Sequence, residues 1–263
     1  MNSRIAAVLS IACLVVTSLG CASVRRRQDR AVDADLRAKA VRIQRKGRRP
    51  VTLGAYELVK VQRTEEPYTG EGSSVGITIN GNGREISQHR VAVTVRHAAE
   101  GRTWTGRCRS RFQREGLAVL DGVLASQSTQ LSVSCTVDDG GPLAWRFSAK
   151  GLVGSNLEGG FARSDAGVGD RLRVELQLDP EGIGRNLPMA HVRQGPAAVC
   201  AALLTHPERV WLTPDADVER SEACLALLMA LRHLPYAPPK RRARGSGEDE
   251  DDAKGKGILQ IFS

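Results

Sequence analysis

Thr103-Trp104-Thr105-Gly106-Arg107-Cys108-Arg109-Ser110-Arg111-Phe112 changes character at every second residue. In an extended chain Trp104, Gly106, Cys108, Ser110 and Phe112 share one side, and Thr103, Thr105, Arg107, Arg109 and Arg111 the other, because successive side chains of a strand point to opposite faces. The run therefore reads as a β-strand with one face toward a core and the other toward water. Leu131, Val133, Cys135 and Val137 repeat the arrangement, so Cys108 and Cys135 both face the core and can meet between neighbouring strands. That pairing is the preferred first disulfide.

Working outward, Val75, Ile77 and Ile79 and then Val91, Val93 and Val95 alternate with small or polar residues. Asn80, Gly81, Asn82 and Gly83 between them tolerate the positive φ of a tight turn, which predicts a hairpin. Leu143, Trp145 and Phe147, then Leu172, Val174, Leu176 and Leu178, predict two more strands, with Gly151 to Gly169 looping or forming short irregular strands between them. The fold expected is mainly β: an antiparallel β-sandwich or open barrel. With only four Phe, three Trp and three Tyr, aliphatic side chains must supply most of the buried area, and Trp104 and Trp145 are expected in the core rather than as ligand platforms.

After Pro188, Ala198 to Leu204 and Val210 to Leu212 flank a polar turn through Thr205, His206, Pro207 and Glu208 and read as a hairpin. A helix follows, with Thr213 or Asp215 able to cap it and Pro214 suited to its first turn. Cys224, Leu227, Leu228, Leu231 and Leu234 form an apolar face, and the run from Ala223 to Leu231 is nearly all apolar. This predicts a helix buried against the sheet, with Cys224 bridging to Cys200. The tail, 236–263, passes from a basic run to the acidic Glu248 to Asp252 and has no composition for a core.

At the other end Arg4 precedes the uncharged, mostly apolar stretch Ile5 to Val16, followed by Thr17, Ser18, Leu19, Gly20 and Cys21. This segment resembles the signal peptides of the bacterial lipoprotein class, in which a small residue stands immediately before a cysteine that is lipidated; Ser18 departs from the leucine more usual at its position. The resemblance implies cleavage before Cys21, lipid on Cys21 (palmitate among the acyl groups expected) and membrane anchorage. Ala22 after the cysteine leans the expected location toward the outer membrane, facing the periplasm or the exterior. An uncleaved transmembrane helix over Ile5 to Val24 and ordinary signal cleavage are the competing readings.

The domain reading is 1–20 signal peptide, 21–50 lipidated cysteine and basic tether, 51–235 a single β-rich domain, and 236–263 a charged tail. Between Ala22 and Pro50 eleven basic residues face only Asp29, Asp33 and Asp35, and Arg25, Arg26, Arg27 and Arg30 lie nearest the anchor, where they are expected to touch anionic lipid or merely lift the domain. With Cys13 lost and Cys21 acylated, Cys108, Cys135, Cys200 and Cys224 remain, an even number for an oxidising compartment, with three connectivities allowed and four buried thiols as the alternative.

No catalytic constellation is legible. Gly72-Ser73-Ser74-Val75-Gly76 matches a nucleophile elbow formally, but Ser74 follows a polar loop, Glu65 to Glu71, and opens a strand, the wrong context for that chemistry. His89, His97, His191, His206 and His233 fall in different elements without metal spacing, the cysteine gaps suit disulfides better than zinc, and no metal or other cofactor is expected. The excess of 38 basic over 29 acidic residues lies largely in tether and tail without interleaved aromatics, so nucleic acid is not an expected partner. The function expected is that of a membrane-anchored envelope protein acting as a structural or interaction module with an envelope protein partner. A binding module for a lipid, glycan or peptide is the alternative, and a hydrolase a distant second.

Overall fold

The computed structural model describes residues 32, 34–38, 40–44, 51–71, 82–119, 123–125, 128–167, 171–178, 188–205, 209–213 and 218–238. A short helix, α1 (Ala34–Arg37), precedes the strands β1 (Ala40–Gln44), β2 (Val51–Leu53), β3 (Tyr56–Glu71), β4 (Asn82–His97), β5 (Thr103–Val119), β6 (Val123–Ala125), β7 (Thr129–Asp138), β8 (Trp145–Leu152), β9 (Leu157–Arg163), β10 (Leu172–Gln177), β11 (Met189–Gln194), β12 (Ala197–Leu203) and β13 (Arg209–Leu212). The helix α2 (Val218–His233) follows them. The sheet order is β4-β3-β2-β1-β13-β12-β11-β10-β9-β8-β7-β5-β6, and β4 also pairs β5, so the order returns on itself. Every pairing is antiparallel, and the architecture is a barrel rather than a sandwich.

The alternation in Thr103 to Phe112 is realised as read. Trp104, Cys108, Ser110 and Phe112 are buried and the arginines between them point outward. Cys108 lies directly opposite Cys135 on β7, and the two form a disulfide. The hairpin of β12 and β13 is also present, with Cys200 opposite Leu212 and Ala202 opposite Val210.

The structure departs from the sequence pattern in several places. β4 has as its partner β3, with Leu58 opposite Val95 and Glu71 opposite Arg84; the stretch Glu65 to Glu71, read as a loop, is strand. A hydrogen-bond ladder needs no apolar side chains, so a polar segment beyond the core can still pair. Val75 to Ile79 lies outside the described residues. β9 gives the glycine-rich region a regular strand, and β11 was not anticipated at all. The barrel also begins inside the presumed tether: Ala40 pairs with Trp211 and Ile43 with Leu53, so β1 stands between β13 and β2.

The predicted helix stands inside the barrel. It touches β4, β5 and β7 on one side and β11 and β12 on the other, and every residue from Glu222 to Leu231 is buried. About eight strands enclose a space that side chains alone can fill; a ring of all these strands but β6 is wider, and a helix of roughly 10 Å diameter fits it. A chain with few large aromatics fills its lumen with backbone and aliphatic side chains instead. Leu225, Leu227, Leu228, Met229 and Leu231 each contribute about 1.5–3 kcal/mol by burial. Gly106 on β5 lets the helix approach: a Cβ there would lie 2.5 Å from the Ala226 carbonyl oxygen.

The outer wall over β11, β12 and β13 is covered too. Met189, Ala201, Leu203 and Trp211 are buried there together with Val32 and Leu36, which bracket and belong to α1. This second layer is why β11 carries no visible alternation: Met189 to Val192 are buried on both faces.

Candidate functional site

At the mouth of the barrel where α2 begins, a carboxylate is taken out of water. Glu222 is 2 % exposed, and its two oxygens accept from Trp104 Nε1 at 2.8 Å and Arg102 at 3.1 Å. Arg102 also meets Glu100 at 2.5 Å, and Tyr56 lies edge-on to His97 with ring centroids 5.0 Å apart. Burial, then the neighbouring Glu222 carboxylate, raises the Tyr56 phenol above its ordinary value. One turn earlier Glu219 takes Arg163 at 3.1 Å, and Arg163 also holds Asp165 at 2.6 Å. These partners make the mouth a lock for the helix entry, since a buried charge is tolerable only when paired and hydrogen-bonded. At the other end Arg232 donates to the Leu203 and Thr205 carbonyls at 2.6 and 2.7 Å, fixing the last turn to the end of β12.

Outside, β4, β5, β7 and β8 present a basic face. Arg90 stands directly opposite Arg109, and Arg109 opposite Ser134, which is opposite Ser148. In the flanking rows Arg107 aligns with Thr136 and Arg146, and Arg111 with Ser132 and Lys150. Arg107 is paired with Asp138, whereas Arg109, Arg111, Arg146 and Lys150 have no ion pair among the described residues. Arg90 and Arg109 are like charges directly opposite on neighbouring strands, a pairing that by itself disfavours a sheet. The face lies halfway round the ring from the wall that carries α1.

Of the residues singled out from the sequence, Cys21, Arg25, Arg26, Arg27, Arg30, Ser74 and His206 lie outside the described residues. Cys108 and Cys135 are joined. Cys200 and Cys224, on β12 and α2, are both buried but are free thiols rather than a disulfide; burial, then the neighbouring Cys224 thiol, pushes the Cys200 thiol up. The remaining histidines do not gather: His97 is at the upper mouth, His191 under the α1 layer, His233 at the end of α2 beside Arg63, and His89 on the inner wall of β4. No group of three metal-ligating side chains occurs among the described residues. Trp104 and Trp145 are in the core.

Two features escaped the sequence. Glu222 was one acid at the start of an apolar run, and its partners lie more than a hundred residues away. The arginine face was half visible in Arg107, Arg109 and Arg111, but needed Arg90, Arg146 and Lys150 aligned beside it by strand register. Comparison with protein-family models, with curated proteins and with solved structures finds no match to this chain.

Proposed function

We propose that the protein is a lipoprotein of the bacterial cell envelope, exported by the segment before Cys21 and anchored by lipid on that cysteine, and that it works as an interaction module which presents the arginine face of its barrel to an acidic envelope protein. The barrel face is the working surface in this reading, and the tether and any contact of Arg25, Arg26, Arg27 and Arg30 with anionic lipid serve to place it. The observation that carries the proposal is the row Arg90, Arg109, Ser134 and Ser148, flanked by Arg107, Arg111, Arg146 and Lys150. Cationic side chains one strand apart at Arg90 and Arg109, and two strands or about 10 Å apart with a hydroxyl-bearing residue between them in the flanking rows, suit the carboxylates of an acidic protein surface. Supporting it, α2 takes up lumen space that a large apolar cargo would need. The Cys108–Cys135 disulfide fits an oxidising compartment. Because α1 sits on the opposite wall, a tether of ten residues between Cys21 and Val32, at most about 36 Å long, favours a partner on the side away from the anchoring membrane.

The test is a photo-crosslinker at Ser134 in the native host, beside an Arg109→Glu/Arg111→Glu variant and a Cys21→Ala variant. The expected outcome is a discrete crosslinked protein with an acidic surface, lost on charge reversal, and a Cys21→Ala protein without acyl mass that leaves the membrane fraction. A crosslinking pattern unchanged by charge reversal would refute the working surface, and an unacylated wild-type chain would refute the anchor.

A further inference from the structure

Below the last turn of α2 the inner wall changes character. Down β4 the inward residues run Val95, Val93, Val91, His89, Ser87, and down β5 Trp104, Gly106, Cys108, Ser110, Phe112. His89 stands directly opposite Ser110, and Ser87 opposite Phe112. Ser87, His89 and Ser110 are 1, 7 and 0 % exposed, and Ser87 Oγ, His89 Nε2 and Ser110 Oγ have no hydrogen-bond partner among the described residues. Phe112 lies edge-on to His89, with centroids 5.8 Å apart. Apolar residues of similar size would close this wall without cost, as they do one row higher, so three adjacent polar groups left unsatisfied are a local departure from good packing.

The position of the helix end explains why the polar groups stand where they do. Trp104 meets Glu222 in the first turns of α2, and Gly106 meets Ala226 and Ala230, so α2 descends along β5 in the direction of Ser110. Its last residue, His233, is held by Arg63 at 2.9 Å, and Arg63 is opposite Val91, one row above His89. On this side the wall opens: Val61 is opposite the fully buried Val93, yet is 38 % exposed. Glu65, opposite His89, is exposed as well. Val61, Arg63 and Glu65 are thus exposed residues of β3 that flank the polar row, and the approach to it is inferred to lie there.

The geometry points to a ligand site at the base of the barrel, in which Ser87, His89 and Ser110 take the neutral hydroxyl or amide end of a short apolar chain. Two hydroxyls and an imidazole offer both donors and acceptors. Arg63 and Glu65, two residues apart on β3, carry opposite charges at the approach and so select neither sign, and a neutral group brings no unpaired charge into the wall. Valine and phenylalanine side chains beside the row suit the apolar remainder. This site is independent of the outer arginine face, so either stands if the other falls.

The test uses the oxidised full-length protein with carbon-13 in its histidine rings, titrated with 1-hexanol, hexanoate and hexylammonium. A saturable shift of the His89 ring with 1-hexanol, at least about tenfold weaker with either charged probe, is the result expected. In a Ser87→Ala/Ser110→Ala variant that shift should weaken about tenfold while the melting temperature holds or rises, because the variant removes unsatisfied groups. No saturable shift in the wild type, a preference for a charged probe, or an undiminished shift in a folded variant would each overturn the site. If the variant does not fold, the wild-type titration decides alone.

Discussion

Gly106→Ala separates the helix-filled barrel from an ordinary sheet by the sign of its effect. In a strand, replacing Gly by Ala gains roughly 0.5–1 kcal/mol, because glycine loses the most backbone freedom on folding. Here the new Cβ would sit 2.5 Å from the Ala226 carbonyl oxygen and 3.1 Å from the Ala230 Cβ, and a helix carbonyl retreats only if the helix moves. Overpacking of this kind costs typically about 1–3 kcal/mol, so the net expectation is a loss of about 1–2 kcal/mol. For a domain of this size that lowers the melting temperature by about 2–8 °C. Thermal unfolding followed by circular dichroism, with the Cys108–Cys135 disulfide intact, measures it. Gly160→Ala is the control in the same sheet: the three atoms nearest its Cβ would all belong to the Arg171 side chain, which can swing away. A Gly106→Ala protein as stable as the wild type, or more so, would refute the close approach of α2 to β5.

Replacing Cys108 and Cys135 together by alanine should cost about 2–4 kcal/mol, read as a lower denaturant midpoint that reductant no longer changes. Glu222→Leu leaves the buried Trp104 Nε1 without its acceptor, while the half-exposed Arg102 keeps Glu100; a loss of about 1–3 kcal/mol by denaturant unfolding is expected, and a neutral result would count against the lock at the mouth. Burial raises the phenols of Tyr56 and Tyr236. The folded state thus favours their protonated forms, the stability they contribute is complete below their unfolded value near pH 10, and it is lost as pH rises above that. Tyr56→Phe should flatten that alkaline decline, measured as unfolding free energy against pH; an unchanged slope would contradict the assignment.

Several elements were legible because one face is wet and one dry. β5, β7 and β8 announce themselves by alternation, and the same alternation puts Cys108 and Cys135 on a common face. β11 was not legible, because α2 covers its inner face and the α1 layer its outer one, so no residue from Met189 to Val192 needs to be polar. The polar end of β3 reads as a loop in the sequence for the opposite reason: it lacks apolar alternation, yet a backbone ladder can form without it. For the candidate surfaces, one strand of the arginine face was visible, while Glu222 and the Ser87, His89 and Ser110 row depend on partners far away in sequence.

What the chain by itself determined is local: that several segments are extended, which face of each of these is apolar, and that an apolar helix follows the last hairpin. Those follow from side-chain periodicity and from the chemistry of turns, which act over a few residues. The tertiary structure decided that the sheet curls into a barrel and that the helix goes inside it. Both depend on β1 meeting β13, Ala40 opposite Trp211, a contact between chain ends that no local pattern encodes. Once that contact closes the wall, α2 can bury apolar side chains on every side by entering the lumen.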